Sequence, residues 1–190
     1  MQDYLTNQSD EELWNLMRQS SKSAFSLLYQ RHIHTLYNFG RKITSNRTVI
    51  ADTIQELFTE FWEKRNTLNE VKCVKVYIIK SFRYKLVKAI SKSKKEHSLS
   101  FEEMLVETPK WNSEAEAANI QRKKLLKAQL EQLSKRQREV IHLRYFHNLD
   151  NEEIAEIINI NYQSVSNLLH RAIKKIRSNI QKQRTKLPFL

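Results

Sequence analysis

Three groups of side chains have types and spacings that could do chemistry, and in each the chemistry is recognition. Near the C-terminus, Gln163, Ser166, Asn167, Arg171, Lys174, Lys175 and Arg177 recur at intervals that put them on one side of a helix. Amides and a guanidinium can bond base edges in a major groove, and lysines can reach phosphates. A second group lies between Val71 and Lys95: Lys72, Lys75, Lys80, Arg83, Lys85, Lys88, Lys92, Lys94 and Lys95, with no acid and with Tyr77, Phe82 and Tyr84 interleaved. Cations attract phosphates, and aromatic rings stack on unpaired bases for roughly 1–3 kcal/mol each. Each ring taken alone is as easily a core residue. The third group is acidic: Asp52, Gln55, Glu56, Glu60 and Glu63 share one helix face. A solvated surface is the ordinary reading of such a strip; in a basic chain it also suits docking of a basic protein partner.

Catalysis and metal binding find little support. His32 and His34 point to different helix faces, and His142 and His147 are poorly spaced for shared ligation. There is no glycine-rich phosphate loop and no nucleophile constellation, so no cofactor, no metal and no enzymatic activity are expected. Cys73 is the only cysteine, which rules out an internal disulfide. The 190 residues carry a formal net charge of +12, pointing to a polyanionic partner. No apolar run approaches a membrane span, and the first residues lack an export signal. The expectation is a cytoplasmic protein with no membrane insertion.

The elements that must position these groups are helical. With one glycine, two prolines and 40% hydrophobic residues, the chain has little turn chemistry for sheets. Ser9 to Glu12 and Ser134 to Gln137 have the spacing of capping boxes, and Asp150 with Glu153 makes a third. The apolar stripe of the second helix is expected to run through Phe25, Leu28, Tyr29, Ile33, Leu36, Tyr37 and Ile43. Ile54, Leu57, Phe58, Phe61 and Trp62 line the third. Gly40, late in the second helix, permits close packing or marks its end.

Residues 96–118 change character: Glu96, Glu102, Glu103, Glu107, Glu114 and Glu116 stand against Lys110, and Pro109 interrupts. The reading is an acidic linker, with a short helical turn at Phe101–Leu105. A second helical domain follows, with helices at 119–133 and 135–147, the latter offering Val140, Ile141, Tyr145 and Phe146 as its apolar side. It closes on a helix-turn-helix, Asp150–Arg177. There Asn159 takes the left-handed turn position and Asn161 caps the second helix. That helix would bury Val165, Leu168, Leu169, Ala172, Ile173 and Ile176. The expected fold is all-α. It has a domain at 1–95, a flexible acidic linker at 96–118, a helix-turn-helix domain at 119–184 and a tail at 185–190.

Two segments carry a family resemblance. Ala51-Asp52-Thr53-Ile54-Gln55-Glu56-Leu57-Phe58 is similar to the Asp-x-x-Gln-Glu-x-Phe of region two in bacterial sigma factors. Leu133 to Ile141, continuing through Arg144-Tyr145-Phe146 to Glu152–Ile157, resembles the start of region four, and His170–Arg177 resembles its end. The helix-turn-helix alone would be shared with many activators; both motifs in this order resemble the extracytoplasmic-function (ECF) group of the sigma-70 family. The resemblance implies promoter-specific transcription initiation with core RNA polymerase. Asp52, Gln55, Glu56 and Phe58 would dock on the β′ coiled coil. Lys80, Arg83, Tyr84, Lys85 and Lys88 would hold the melted −10 strand. Tyr162, Gln163, Ser164, Ser166, Asn167, His170, Arg171 and Lys174 would meet the −35 duplex, with the same domain touching the β flap. An anti-sigma factor is a further implied partner. Tyr84 stands where the family often has asparagine, Lys88 where aspartate is common, and Ser166 where many relatives are basic. The rival reading is a stand-alone helix-turn-helix regulator of duplex DNA.

Overall fold

The computed structural model describes residues 5–96 and 128–186, and these are helical, with no strand among them. Contacts divide the chain into two compact units: Met1–Phe101 with Glu156–Asn159, and Glu102–Ala155 with Ile160–Leu190. The expected linker beyond Glu96, its turn at Phe101–Leu105, most of the helix at 119–133 and the end of the tail lie outside the described residues.

The first unit is built from α1 (Asp10–Arg18), α2 (Lys22–Ile43), α3 (Arg47–Glu63) and α4 (Val74–Glu96). Each start has an acceptor for an orphan N–H, and for the first three it is local. Ser9 and Glu12 close the anticipated capping box on α1, Ser21 Oγ caps α2 and Asn46 Oδ1 caps α3. For α4 the acceptor comes from another helix: Val74 N–H donates to Glu11 Oε1 at 3.1 Å. The connection between α3 and α4 is tied to α1, because Trp14 Nε1 donates to Asn69 O and Arg18 Nε to Leu68 O.

The buried line of α2 differs from the expected one. It runs through Ala24, Leu28, His32, Leu36, Phe39 and Gly40, while Tyr37 and Ile43 are only half-buried. His32 can enter because its Nε2 lies 2.8 Å from Asp10 Oδ2. Arg31 bonds the other Asp10 oxygen at 2.9 Å. These contacts, led by the His32 bond, hold the Asp10 carboxyl down at about 2, against the opposing pull of burial. Gly40 of α2 faces side chains of both α3 and α4 at close range. A Cβ there would stand 3.0 Å from the Ile50 side chain and 3.1 Å from Phe82.

The second unit contains α5 (Lys135–Phe146), α6 (Asn151–Ile158) as far as Ala155, and α7 (Tyr162–Lys186), with α5 packed on α7. Ser134 and Gln137 form the second capping box. Asp150 Oδ1 accepts from Glu152 and Glu153 N–H, and Glu153 Oε2 accepts from Asp150 N–H, completing the third. Two asparagines turn the chain with positive φ, Asn148 (53°) after α5 and Asn159 (54°) after α6. The core of α5 is Val140, Ile141 and Leu143, with Glu139 and His142 also buried. Tyr145 and Phe146, expected on the apolar side, are instead 62% and 66% exposed. They lie on the outward side of the last turn, between the buried Leu143 and His147.

Candidate nucleic-acid and protein-binding surfaces

The acidic face of α3 follows from its register. Ile50, Thr53, Ile54, Leu57, Phe58 and Phe61 are buried, so Asp52, Gln55, Glu56 and Thr59 face outward. With Glu60, Glu63 and Lys64 they line a shallow depression. Phe58, named with the docking residues on the strength of the family motif, is not on this face. It is 3% exposed, with its ring edge-on to Phe25, Tyr29 and Phe61. Its place in the motif is that of a core residue holding α3 against α2.

The charges on α3 are not all open. Lys85, carried by α4, puts its ammonium 2.7 Å from Glu56 Oε1 and 2.6 Å from Glu60 Oε2. Lys64 meets Glu60 at 2.5 Å. The Lys64 bond first, then that of Lys85, hold the Glu60 carboxyl at about 2. Burial works to lower the Lys85 pKa, but its bonds to Glu56 and Glu60 outweigh this and raise it. Sequence spacing shows the Glu60–Lys64 pair at i,i+4. It could not show Lys85, which arrives from the next helix.

The outer side of α4 carries Lys80, Tyr84, Val87, Lys88 and Lys92, all exposed, with Arg83 half-buried. Of the three interleaved aromatics only Tyr84 is presented to solvent, at 69%. Phe82 is fully buried, and Tyr77 stacks on Phe61 at 5.8 Å and meets Trp14 edge-on. Tyr84 is flanked one helical turn away on each side by Lys80 and Lys88, an order that suits one unpaired base between phosphates. Lys85 does not share this face: its ammonium is turned onto α3.

The helix-turn-helix is built around the Asn159 turn. Ile160 N–H donates to Ala155 O, closing α6, and Asn161 Oδ1 accepts from Ser164 N–H at 2.7 Å, opening α7. Ile154, Ile157, Ile158, Val165, Leu169 and Ala172 are buried, while Leu168, Ile173 and Ile176 are half-buried. The opposite side of α7 presents Tyr162, Gln163, Asn167, His170, Arg171 and Lys174 to solvent, with Ser164 and Ser166 half-exposed. Gln163 and Asn167 lie within 3.5 Å, so their amides form one polar patch. Farther along, Lys175 donates to Gln132 O and Asn179 to Gln132 Oε1, which binds α7 to the residues before α5. Lys175 is therefore partly committed to the fold.

His142 and His147, set aside as metal ligands on their spacing, meet each other directly. The chain leaves α5 at His147, and the two rings come within 3.1 Å, both buried. His142 also stacks on Phe146. No cluster of three or more metal-ligating side chains occurs among the described residues, and no described helix is long and apolar enough to cross a membrane.

Residues 123–176 match the family model described as Sigma-70, region 4. Two curated relatives come from Bacillus subtilis (strain 168). The ECF RNA polymerase sigma factor SigM is 22% identical over 80% of this chain and 91% of its own length. The RNA polymerase sigma factor SigV is 25% identical over 87% of this chain and 96% of its own. Among solved structures, CnrH in complex with the cytosolic domain of CnrY superposes with a TM-score of 0.62 at 17% identity. That match covers 91% of this chain and 97% of the other. The sigma factor RpoE in complex with the anti-sigma factor NepR from Bartonella quintana gives 0.64 at 18% identity, covering 83% and 96%. These structures share the all-α fold.

Proposed function

We propose that this chain, an RNA polymerase sigma factor of the ECF group in the sigma-70 family, divides promoter recognition among the three surfaces described above. Sigma factors are regulatory subunits rather than catalysts, and the chain is assigned no chemistry of its own. The exposed acids of α3, centred on Asp52, Gln55 and Glu56, dock on a basic face of core polymerase, the β′ coiled coil. The α4 face formed by Lys80, Arg83, Tyr84 and Lys88 holds the melted −10 strand. Gln163, Asn167, His170 and Arg171 on α7 read the −35 duplex, with Tyr162, Ser164, Ser166 and Lys174 at the margins. The second unit also touches the β flap. Tyr84, presenting a ring with a single hydroxyl, favours stacking over amide-type base pairing.

The observation that carries this reading is that likeness to sigma factors spans both units, over 80% and 87% of the chain, rather than the helix-turn-helix alone. An acidic helix face beside a cation–aromatic face has no use in a regulator that binds duplex only. CnrH and RpoE are seen bound to CnrY and to an anti-sigma factor, and an anti-sigma factor covering these same surfaces is proposed here as well. The site of action is the cytoplasm, where polymerase and chromosome are. The test is co-elution with core polymerase. Wild type is expected to co-elute and the Gln55→Ala, Glu56→Ala double variant to be weakened. Failure of the wild type to bind core, with duplex binding intact, would point to the stand-alone regulator.

A further inference from the structure

Lys85 stands among the cations of α4, yet its ammonium lies on α3. Its side chain is 19% exposed, and its contacts with Glu56 and Glu60 are both under 3 Å. Glu56 remains 69% exposed, open to a partner while already holding an intrachain cation. Glu60 holds two cations at once, Lys85 and Lys64. The docking face and the strand face therefore share an ion pair. A basic partner that approaches Glu56 meets Lys85 already in place.

We propose that Lys85 is an exchangeable internal cation. In the free chain it occupies Glu56 and Glu60; a basic polymerase surface docking on α3 displaces it; the released ammonium then joins Lys80, Arg83 and Lys88 on the DNA strand. The proposal rests on the reading of α3 as the polymerase dock. Ion pairs open to solvent are weak and readily exchanged for a partner offering several charges. A lysine is suited to the exchange because its ammonium is a point charge on a flexible four-carbon stem, without the fixed bidentate geometry of arginine. Core binding and strand binding would thereby be coupled through one side chain: the cation that shields the acids before docking adds to phosphate neutralisation after it. Lys85 thus acts as a positioning residue toward polymerase and as a direct contact toward DNA.

The test measures affinity for core polymerase with the full-length chain as wild type, Lys85→Met and Lys85→Arg, after thermal unfolding confirms that each is folded. Lys85→Met, which frees Glu56, is expected to bind core roughly 2- to 5-fold tighter, and Lys85→Arg to stay near wild type. If Lys85→Met does not fold, Lys85→Gln takes its place. A second readout is the salt dependence of binding to a labelled oligothymidine strand. In the holoenzyme the slope of log K against log salt should fall by roughly 0.7 in Lys85→Met, and in the free chain it should not change. Unchanged or weaker core affinity, or an equal change of slope in both states, overturns the exchange. The Gln55→Ala, Glu56→Ala variant is run alongside. If it binds core like wild type, the docking assignment fails as a whole. If it weakens core binding while Lys85→Met brings no gain, only the exchange fails.

Discussion

Replacing Arg171 with alanine isolates the part of α7 that reads sequence. Arg171 is exposed, two helical turns from Gln163 and one from Asn167, and it forms no ion pair among the described residues. Its buried neighbour Ala172 faces the core without it. Truncation should therefore leave stability within about 0.5 kcal/mol, the usual range for a surface change away from special features. All of the effect should appear in binding. A bidentate contact to a guanine edge is worth about 1–3 kcal/mol of discrimination, roughly a 5- to 150-fold loss on the preferred duplex. Fluorescence anisotropy with promoter duplexes mutated one base pair at a time, repeated across salt concentrations, separates the two ways an arginine can act. A base reader loses discrimination at one position. A phosphate contact loses affinity evenly, and the salt slope drops by about one. Arg171→Lys should not restore the discrimination, because an ammonium lacks the planar fork. An even loss across all sequences, or no loss at all, would refute the assignment.

Three further outcomes are expected. Phe58→Ala should destabilise the first unit by about 3–5 kcal/mol in urea unfolding, since the ring is buried among Phe25, Tyr29 and Phe61; a stable variant with weakened polymerase binding would return Phe58 to the docking surface. Tyr84→Ala should leave unfolding unchanged and cost about 1–3 kcal/mol in capture of a single-stranded −10 oligonucleotide by the holoenzyme, and normal permanganate reactivity at the promoter would count against the stacking role. Asp10, held at about 2 against 3.8 for the free carboxyl, has a lowered folded-state pKa. Its contribution of about 2 kcal/mol is therefore present above pH 4 and lost as pH falls from about 4 toward 2. Acid titration of stability should show that loss in the wild type and not in Asp10→Asn.

The parts of the structure that were legible beforehand are those governed by neighbours in sequence. Ser9–Glu12, Ser134–Gln137 and Asp150–Glu153 cap their helices as their spacing requires, and Asn159 takes the left-handed turn. The outward faces of α3 and α7 follow from apolar residues at helical intervals. What escaped depends on a second helix. Phe58 belongs to a family motif, and its burial is decided by α2 packing over it. Lys85 reads as one cation in a basic run until α3 lies alongside. His32 can enter a core only because Asp10 is there to meet it. Tyr145 and Phe146 are apolar, but they face outward between the buried Leu143 and His147, a choice of side that the packing of the unit makes and the sequence alone does not show. Of the aromatics on α4, periodicity could not say which one faced solvent, and only Tyr84 does.

The division of promoter recognition among these surfaces is tested most directly by transcription in vitro on genomic templates, with core polymerase and the full-length chain, mapping every start. Wild type is expected to give discrete starts preceded by a common pair of elements at −10 and −35. Arg171→Ala should scramble the upstream element alone, Tyr84→Ala should reduce opening at all of them, and the Gln55→Ala, Glu56→Ala variant should weaken them all together. Starts that do not depend on the chain, or an upstream element untouched by every change on α7, would contradict the account.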